Sequence, residues 1–107
     1  MLKEFEKEAI RILTKGKLPD SVVTEIIASE EIDIDHTGVG YFIHIKNKLL
    51  PIERMVLNEP HLLATSNDGF VGLLIFVQDS ELTLECHGYG DEVPENFREN
   101  NVAINAT

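Results

Sequence analysis

The stretch Asn67-Asp68-Gly69-Phe70-Val71-Gly72-Leu73-Leu74-Ile75-Phe76-Val77-Gln78-Asp79-Ser80-Glu81-Leu82-Thr83-Leu84-Glu85-Cys86-His87-Gly88-Tyr89 decides the fold. Two turn signals divide it. Asn67-Asp68-Gly69 offers a glycine for the positive φ that tight hairpins need, and Asp79-Ser80 is a two-residue connection between alternating runs. Closing the chain at Asp79-Ser80 sets Val77 opposite Leu82, Ile75 opposite Leu84 and Leu73 opposite Cys86, so one face of the hairpin is apolar throughout. The other face carries Phe70, Gly72, Leu74 and Phe76 beside Thr83, Glu85, His87 and Tyr89. It joins large apolar groups to an acid, an imidazole and a phenol. Strand 70–77 is apolar on both sides, which calls for a covering layer on each. Gly72, opposite His87, leaves room above the sheet for a side chain, a ligand or another backbone.

Working toward the N-terminus, residues 32–34 and 41–46 also alternate with period two, as strands around a His36-Thr37-Gly38 turn. The stretch 47–60, bracketed by Pro51 and Pro60, holds a short strand at 53–57, and a separate strand runs over 61–65. Residues 2–15 read as an amphipathic helix, because Leu2, Phe5, Ala9 and Ile12, with Leu13 beside them, form one apolar stripe. Its acids Glu4, Glu6 and Glu8 lie toward the start, Arg11 and Lys15 toward the end, and Gly16 stops it. Residues 22–27 fit a short helix by spacing, while their β-branching favours a strand. Toward the C-terminus, residues 90–101 are polar and turn-rich, with one helical turn near Phe97, and the last residues are expected to fray. The expectation is one α+β domain over residues 1–107, an N-terminal amphipathic helix packed on a mainly antiparallel sheet of about four to six strands ending in a C-terminal meander.

The segments Thr37-Gly38-Val39-Gly40-Tyr41-Phe42, Gly72-Leu73-Leu74-Ile75-Phe76-Val77, Leu82-Thr83-Leu84-Glu85 and Tyr89-Gly90 together resemble a group of small uncharacterised bacterial proteins. These share a glycine-aromatic strand and a C-terminal hairpin with a Leu-Glu and Tyr-Gly pattern. The resemblance covers the C-terminal two thirds of the chain. It implies the same α+β fold and a bacterial source, and it transfers no activity.

At 107 residues, with 43% apolar and 26% charged content, the chain has enough core-forming residues for one domain and too few residues for two. The lone Cys86 excludes an intrachain disulfide and multi-cysteine metal motifs, which points to a reducing cytoplasm. On the apolar face it reads as a buried, inert thiol. No apolar run approaches the length of a membrane span, and no signal-peptide core is read at the N-terminus. Nineteen acids against nine bases leave a net charge of −10, a field that repels phosphate backbones and anionic lipid. Neither nucleic acid nor membrane is expected as a partner. Solubility alone explains such acidity, and a basic protein partner is the sharper explanation.

The acids gather in two patches, Glu30, Glu31, Asp33 and Asp35 in one, and Asp91, Glu92 and Glu95, with Glu99, in the other. Charges along a sheet edge guard against aggregation, and the same patches suit docking of a basic protein. Glu85, His87 and Tyr89 at i, i+2 spacing have the makings of an acid-base set, yet no nucleophile is placed with them, so the reading is of a protein without catalytic residues. His36, His44, His61 and His87 are scattered, and Asp33-x-Asp35 lacks the later ligands of a calcium loop, so neither a metal nor a cofactor is expected. Gly38-Val39-Gly40 lacks the third glycine and following helix of a nucleotide fingerprint.

Three functions compete. The first is an acidic cytoplasmic protein-binding module, such as an immunity protein or inhibitor of a basic nuclease-type toxin, presenting an open acidic surface. The second is a small-molecule-binding or enzymatic domain with a closed pocket at the Phe70, Gly72, Leu74, Phe76, Glu85, His87, Tyr89 face. The third is a structural or oligomeric accessory domain. Because strand 70–77 is apolar on both faces, the chain is expected to self-associate as a homodimer through that face.

Overall fold

The computed structural model describes residues 1–90 and 92–106. Helix α1, Glu4–Thr14, forms where the apolar stripe is expected, and buries Phe5, Ala9, Ile10 and Leu13. It ends as Lys17 and Leu18 both donate their amides to the Thr14 carbonyl and Gly16 takes a positive φ of 75°. Pro19 then starts helix α2, Asp20–Ile27, which buries Val22 and Ile26. Helical spacing prevails over β-branching here because the four-residue step places both side chains in the core beside α1.

Six antiparallel strands follow in chain order: β1 Asp33–His36, β2 Gly40–Lys46, β3 Met55–Ser66, β4 Gly69–Gln78, β5 Glu81–His87 and β6 Ala103–Ala106. They lie across the sheet as β1-β2-β5-β4-β3-β6. The architecture is the expected α+β one, with an N-terminal helix on an antiparallel sheet. Between β4 and β5 the register pairs Val77 with Leu82, Ile75 with Leu84 and Leu73 with Cys86, as alternation requires. Asp79 and Ser80 both adopt positive φ, 53° and 62°, so the chain turns in the left-handed region without a glycine.

Two elements differ from the sequence reading. The expected strands 53–57 and 61–65 are not separate: residues 55–57 and 61–65 belong to the single long β3, interrupted by a bulge, while Glu53 and Arg54 precede it. Between the pairs Leu57–Ile75 and Leu62–Leu73, four residues of β3 oppose one of β4. Pro60, with no amide to give the ladder, sits inside that bulge. Where the last residues are expected to be loose, residues 103–106 form a strand, and Thr107 lies outside the described residues. Ala103–Ala106 pairs with residues 62–65 of β3, because that stretch of β3 otherwise presents an unpaired edge and β6 satisfies it.

One face of the sheet carries the core. Tyr41, Ile43, Ile45, Leu57, Leu62, Val71, Ile75, Val77, Leu82, Leu84 and Cys86 meet α1, α2 and the 3₁₀ turn Glu95–Glu99 in one hydrophobic cluster. Segment 22–27, a candidate cover for the second face, therefore lies with α1 over the first. Gly40 is required where β2 begins, since its φ is 156° and a Cβ there would strike the Cys86 carbonyl.

Candidate functional site

The second face of the sheet is built by the same period-two alternation that builds the core. Strand register orders its side chains in rows across β1, β2, β5, β4 and β3. One row runs Asp33, His44, Thr83, Phe76, Val56, and the next Asp35, Phe42, Glu85, Leu74. A third runs Gly40, His87, Gly72, Leu63. Among the described residues the helices pack on the other face, and on this one Phe70 remains 50% exposed and Tyr89 48% exposed, while Phe42, Leu74 and Phe76 are partly buried. An aromatic stripe and carboxylates thus share one open surface. His44 ties the rows together at its acidic end, with Nε2 3.0 Å from Asp35 Oδ2, Nδ1 3.0 Å from Thr83 Oγ1 and Glu81 Oε1 3.7 Å away. At Phe76, the Arg54 guanidinium stands 5.4 Å from the ring centroid.

The room above Gly72 is taken up by the chain itself. A Cβ at that position would meet the Tyr89 hydroxyl and lie 2.7 Å from His87 Nε2. Tyr89 therefore reaches from the end of β5 across β4, and its hydroxyl lies 3.2 Å from His61 Nε2 on β3. Its ring stands 5.2 Å from that of His87 and 5.5 Å from that of Phe70. His87 Nδ1 is buried with no hydrogen-bond partner among the described residues. His61, scattered in sequence from His87, joins the same corner because the β3 bulge and the Gly72 gap bring both to Tyr89. Among the described residues there is no group of three histidine, cysteine or acidic side chains that could hold a metal ion.

The acidic patches border this face at two places. Asp33 and Asp35 stand in its outermost rows on β1, with Glu30 and Glu31 just before them around a shallow concavity shared with His44 and Lys46. Glu92 lies beside Phe70 and Tyr89 at the far corner. Glu95 is exposed at the start of the 3₁₀ turn, and Asp91 lies outside the described residues. Glu99 is drawn away to Lys3, 2.9 Å from its Nζ, and that ammonium lowers the Glu99 pKa.

A polar cluster in the core escaped the sequence reading. Glu6, expected among the N-terminal charges of α1, has no exposed surface, and Arg98 is 9% exposed. Arg98 donates from Nε to Glu6 Oε2 at 2.7 Å and from Nη2 to Oε1 at 2.8 Å, and Nη2 also reaches the Met1 carbonyl at 3.1 Å. The Tyr41 hydroxyl donates to Oε2 at 2.7 Å and the Lys3 amide to Oε1 at 2.8 Å. With four donors the carboxylate is fully satisfied, the condition on which a buried charge is tolerated. No signal in the sequence marks Glu6 for burial, since its partner Arg98 lies 92 positions away and an acid in a helix's first turn is ordinary. This cluster is closed to solvent and serves to fasten α1, β2 and the C-terminal segment together.

Burial raises the pKa of the Cys86 thiol far above its ordinary 9.0 and that of the Tyr41 phenol far above 10.0, with the Glu6 carboxylate adding to both. The sign follows from linkage: the folded chain holds these protons while the unfolded chain releases them. The stability they contribute declines as pH rises, above 9 for the thiol and above 10 for the phenol, by about 1.4 kcal/mol per pH unit for each group. Urea midpoints compared at about pH 8 and about pH 10 should show a steeper fall for the native sequence than for Cys86→Ala. Equal slopes in the two proteins would contradict the buried-thiol account, as would labelling of native Cys86 at its denatured rate.

No helix among the described residues is long and apolar enough to cross a membrane. Comparison of the chain with protein-family models, with curated proteins and with solved structures found no match. Function therefore rests on what this site is able to do: it offers an aromatic surface rimmed by carboxylates, on which the Thr83 hydroxyl stands 3.0 Å from His44 Nδ1.

Proposed function

We propose that this protein is a binding module that docks a basic partner protein on the uncovered face of its sheet. The observation that carries the reading is that, among the described residues, the helices cover only the other face, although this one bears Phe70, Leu74, Phe76 and Tyr89 among the acids Asp33, Asp35, Glu85 and Glu92. Exposed aromatics supply the anchors of a protein interface, and surrounding charge supplies steering and partner choice. A second copy of the chain is the poorer occupant, since it would bring two chains of net charge −10 together with Glu85 and the Asp33–Asp35 edge facing like charges. A protein that itself handles nucleic acid has the complementary surface. A nuclease-type toxin, for which this chain would be the cytoplasmic immunity protein, is the partner class of that chemistry.

The test pairs the isotope-labelled chain with the product of a neighbouring basic reading frame and a panel of cationic nucleases, reading backbone amide shifts. Perturbations are expected along β2, β4 and β5, and association should slow as salt is added. Replacing Glu30, Glu31, Asp33 and Asp35 with amides should reduce the association rate about tenfold with little change in dissociation, because peripheral charges act mainly by steering. Phe76→Glu should abolish docking while costing about 1 kcal/mol or less of stability, since the ring is not part of the core. Perturbations confined to the helical side would sink the proposal. So would a stable dimer in sedimentation at tens of micromolar whose interface is this face.

A further inference from the structure

We propose that the corner of the open face between Phe70 and Tyr89 is a receptor for one arginine side chain of the partner, with Asp68 and Glu92 as its counter-charges. The inference deepens, and rests on, the reading of the face as a docking surface for a basic protein. Phe70 and Tyr89 line a cleft of about 60 Å³ together with the buried Val93 and Phe97, and the two carboxylates line it as well. That volume is far below the roughly 300 Å³ at which small-molecule sites begin, so the cleft suits a single side-chain head. The two rings pack on one another with centroids 5.5 Å apart and each stays about half exposed, so a cation is able to approach them from outside, where a ring face carries the negative part of the aromatic quadrupole. Neither Asp68 nor Glu92 is ion-paired with a lysine or arginine among the described residues. Asp68 is held in place, its carboxylate accepting from Asn100 Nδ2 at 2.5 Å and its amide donating to Ser66 Oγ at 3.1 Å. The site therefore presents negative ring faces and carboxylates with no cation to meet them.

The same face shows which cation fits. Arg54 already lays its guanidinium over Phe76, 5.4 Å from the ring centroid, so an aromatic ring of this surface accepts a planar cation from the chain itself. A guanidinium is less tightly hydrated than an ammonium and is able to stack on a ring while its edge donates to a carboxylate. At the Phe70–Tyr89 corner the two rings are tilted by 32°, and both stand half exposed. An arginine arriving from outside would find there the stacking surface that Phe76 offers Arg54, together with the carboxylates Asp68 and Glu92.

The probe is Nα-acetyl-arginine amide, titrated into the isotope-labelled full chain at constant ionic strength, with the citrulline and lysine analogues as controls. Amide shifts should cluster at Gly69, Phe70, Gly88, Tyr89 and Val93 and saturate in the millimolar range. The neutral citrulline analogue should bind about fivefold more weakly or worse, and the double variant Asp68→Asn/Glu92→Gln should lose a similar factor for arginine with its spectrum otherwise unchanged. Equal shifts with citrulline or lysine, shifts elsewhere, or an unaltered double variant would overturn the arginine site. A basic protein docked on the sheet with undiminished affinity for the double variant would also overturn it, while leaving the docking face intact. Arginine shifts at the corner, without docking of any basic protein, would support the cleft and count against the docking reading.

Discussion

Arg98→Ala is expected to lower the unfolding free energy by about 3–5 kcal/mol, enough to consume a large part of a domain's stability. The cause is what the substitution leaves behind. Glu6 lies fully buried, and the substitution leaves its carboxylate without its two guanidinium donors and with only the Tyr41 hydroxyl and the Lys3 amide. The same guanidinium tethers the Met1 carbonyl, so its removal also loosens the first residues of the chain from the C-terminal segment. Replacement of the whole cluster should behave differently. The triple variant Glu6→Leu, Tyr41→Phe, Arg98→Leu removes the buried charge and its donors together, and should recover most of the loss. Urea denaturation of the two variants decides between accounts. A cost below about 1 kcal/mol for Arg98→Ala would mean that the carboxylate finds water or a proton at little expense.

Leu84→Ala is the second large effect, on the order of 2–5 kcal/mol. Leu84 has no exposed surface and stands at the middle of the central strand, paired with Ile43 of β2 on one side and Ile75 of β4 on the other. Truncation loses the burial of its side chain and opens a cavity between two strands whose ladder hydrogen bonds hold them at fixed spacing, so the site has little freedom to collapse. Thr83→Ala, one residue away on the open face, should cost about 1 kcal/mol or less. Chemical denaturation of both separates the faces of the sheet. Comparable losses for the two would mean that the open face is packed as tightly as the core.

The open face links these energetics to function. Because Glu6 and Arg98 fasten the C-terminal segment beneath the sheet, Val93 and Phe97 are held where they line the Phe70–Tyr89 cleft. The Arg98→Ala variant should therefore disturb the corner's amide shifts before it disturbs those of the β1 edge, which native-state spectra at low urea would reveal.

Local chemistry alone determined the central hairpin. With a two-residue turn at Asp79-Ser80 and a side-chain period of two, one register places every large aliphatic residue of β4 and β5 on a common face, and any slip by one residue would expose them all. The same alternation assigned Phe70, Gly72, Leu74, Phe76, Glu85 and His87 to the opposite face, and helical spacing located α1. What lay beyond reach were choices made between segments distant in sequence. The Glu6–Arg98 pair joins residues 92 positions apart, and a glutamate near a helix start looks the same in sequence whether solvent or a guanidinium awaits it. Strand β6 is four residues of weak β propensity that exist as a strand because β3 has an edge to complete. Whether strand 70–77 would be covered twice depended on where α2 settled. Its apolar stripe is equally able to pack on either side of a sheet, and only the short turn through Gly16 and Pro19 back onto α1 commits it to the side already covered. The exposure of the aromatic face, on which the proposed function depends, was thus decided by tertiary packing: sequence periodicity says which residues share a face, but not which other element arrives to bury it.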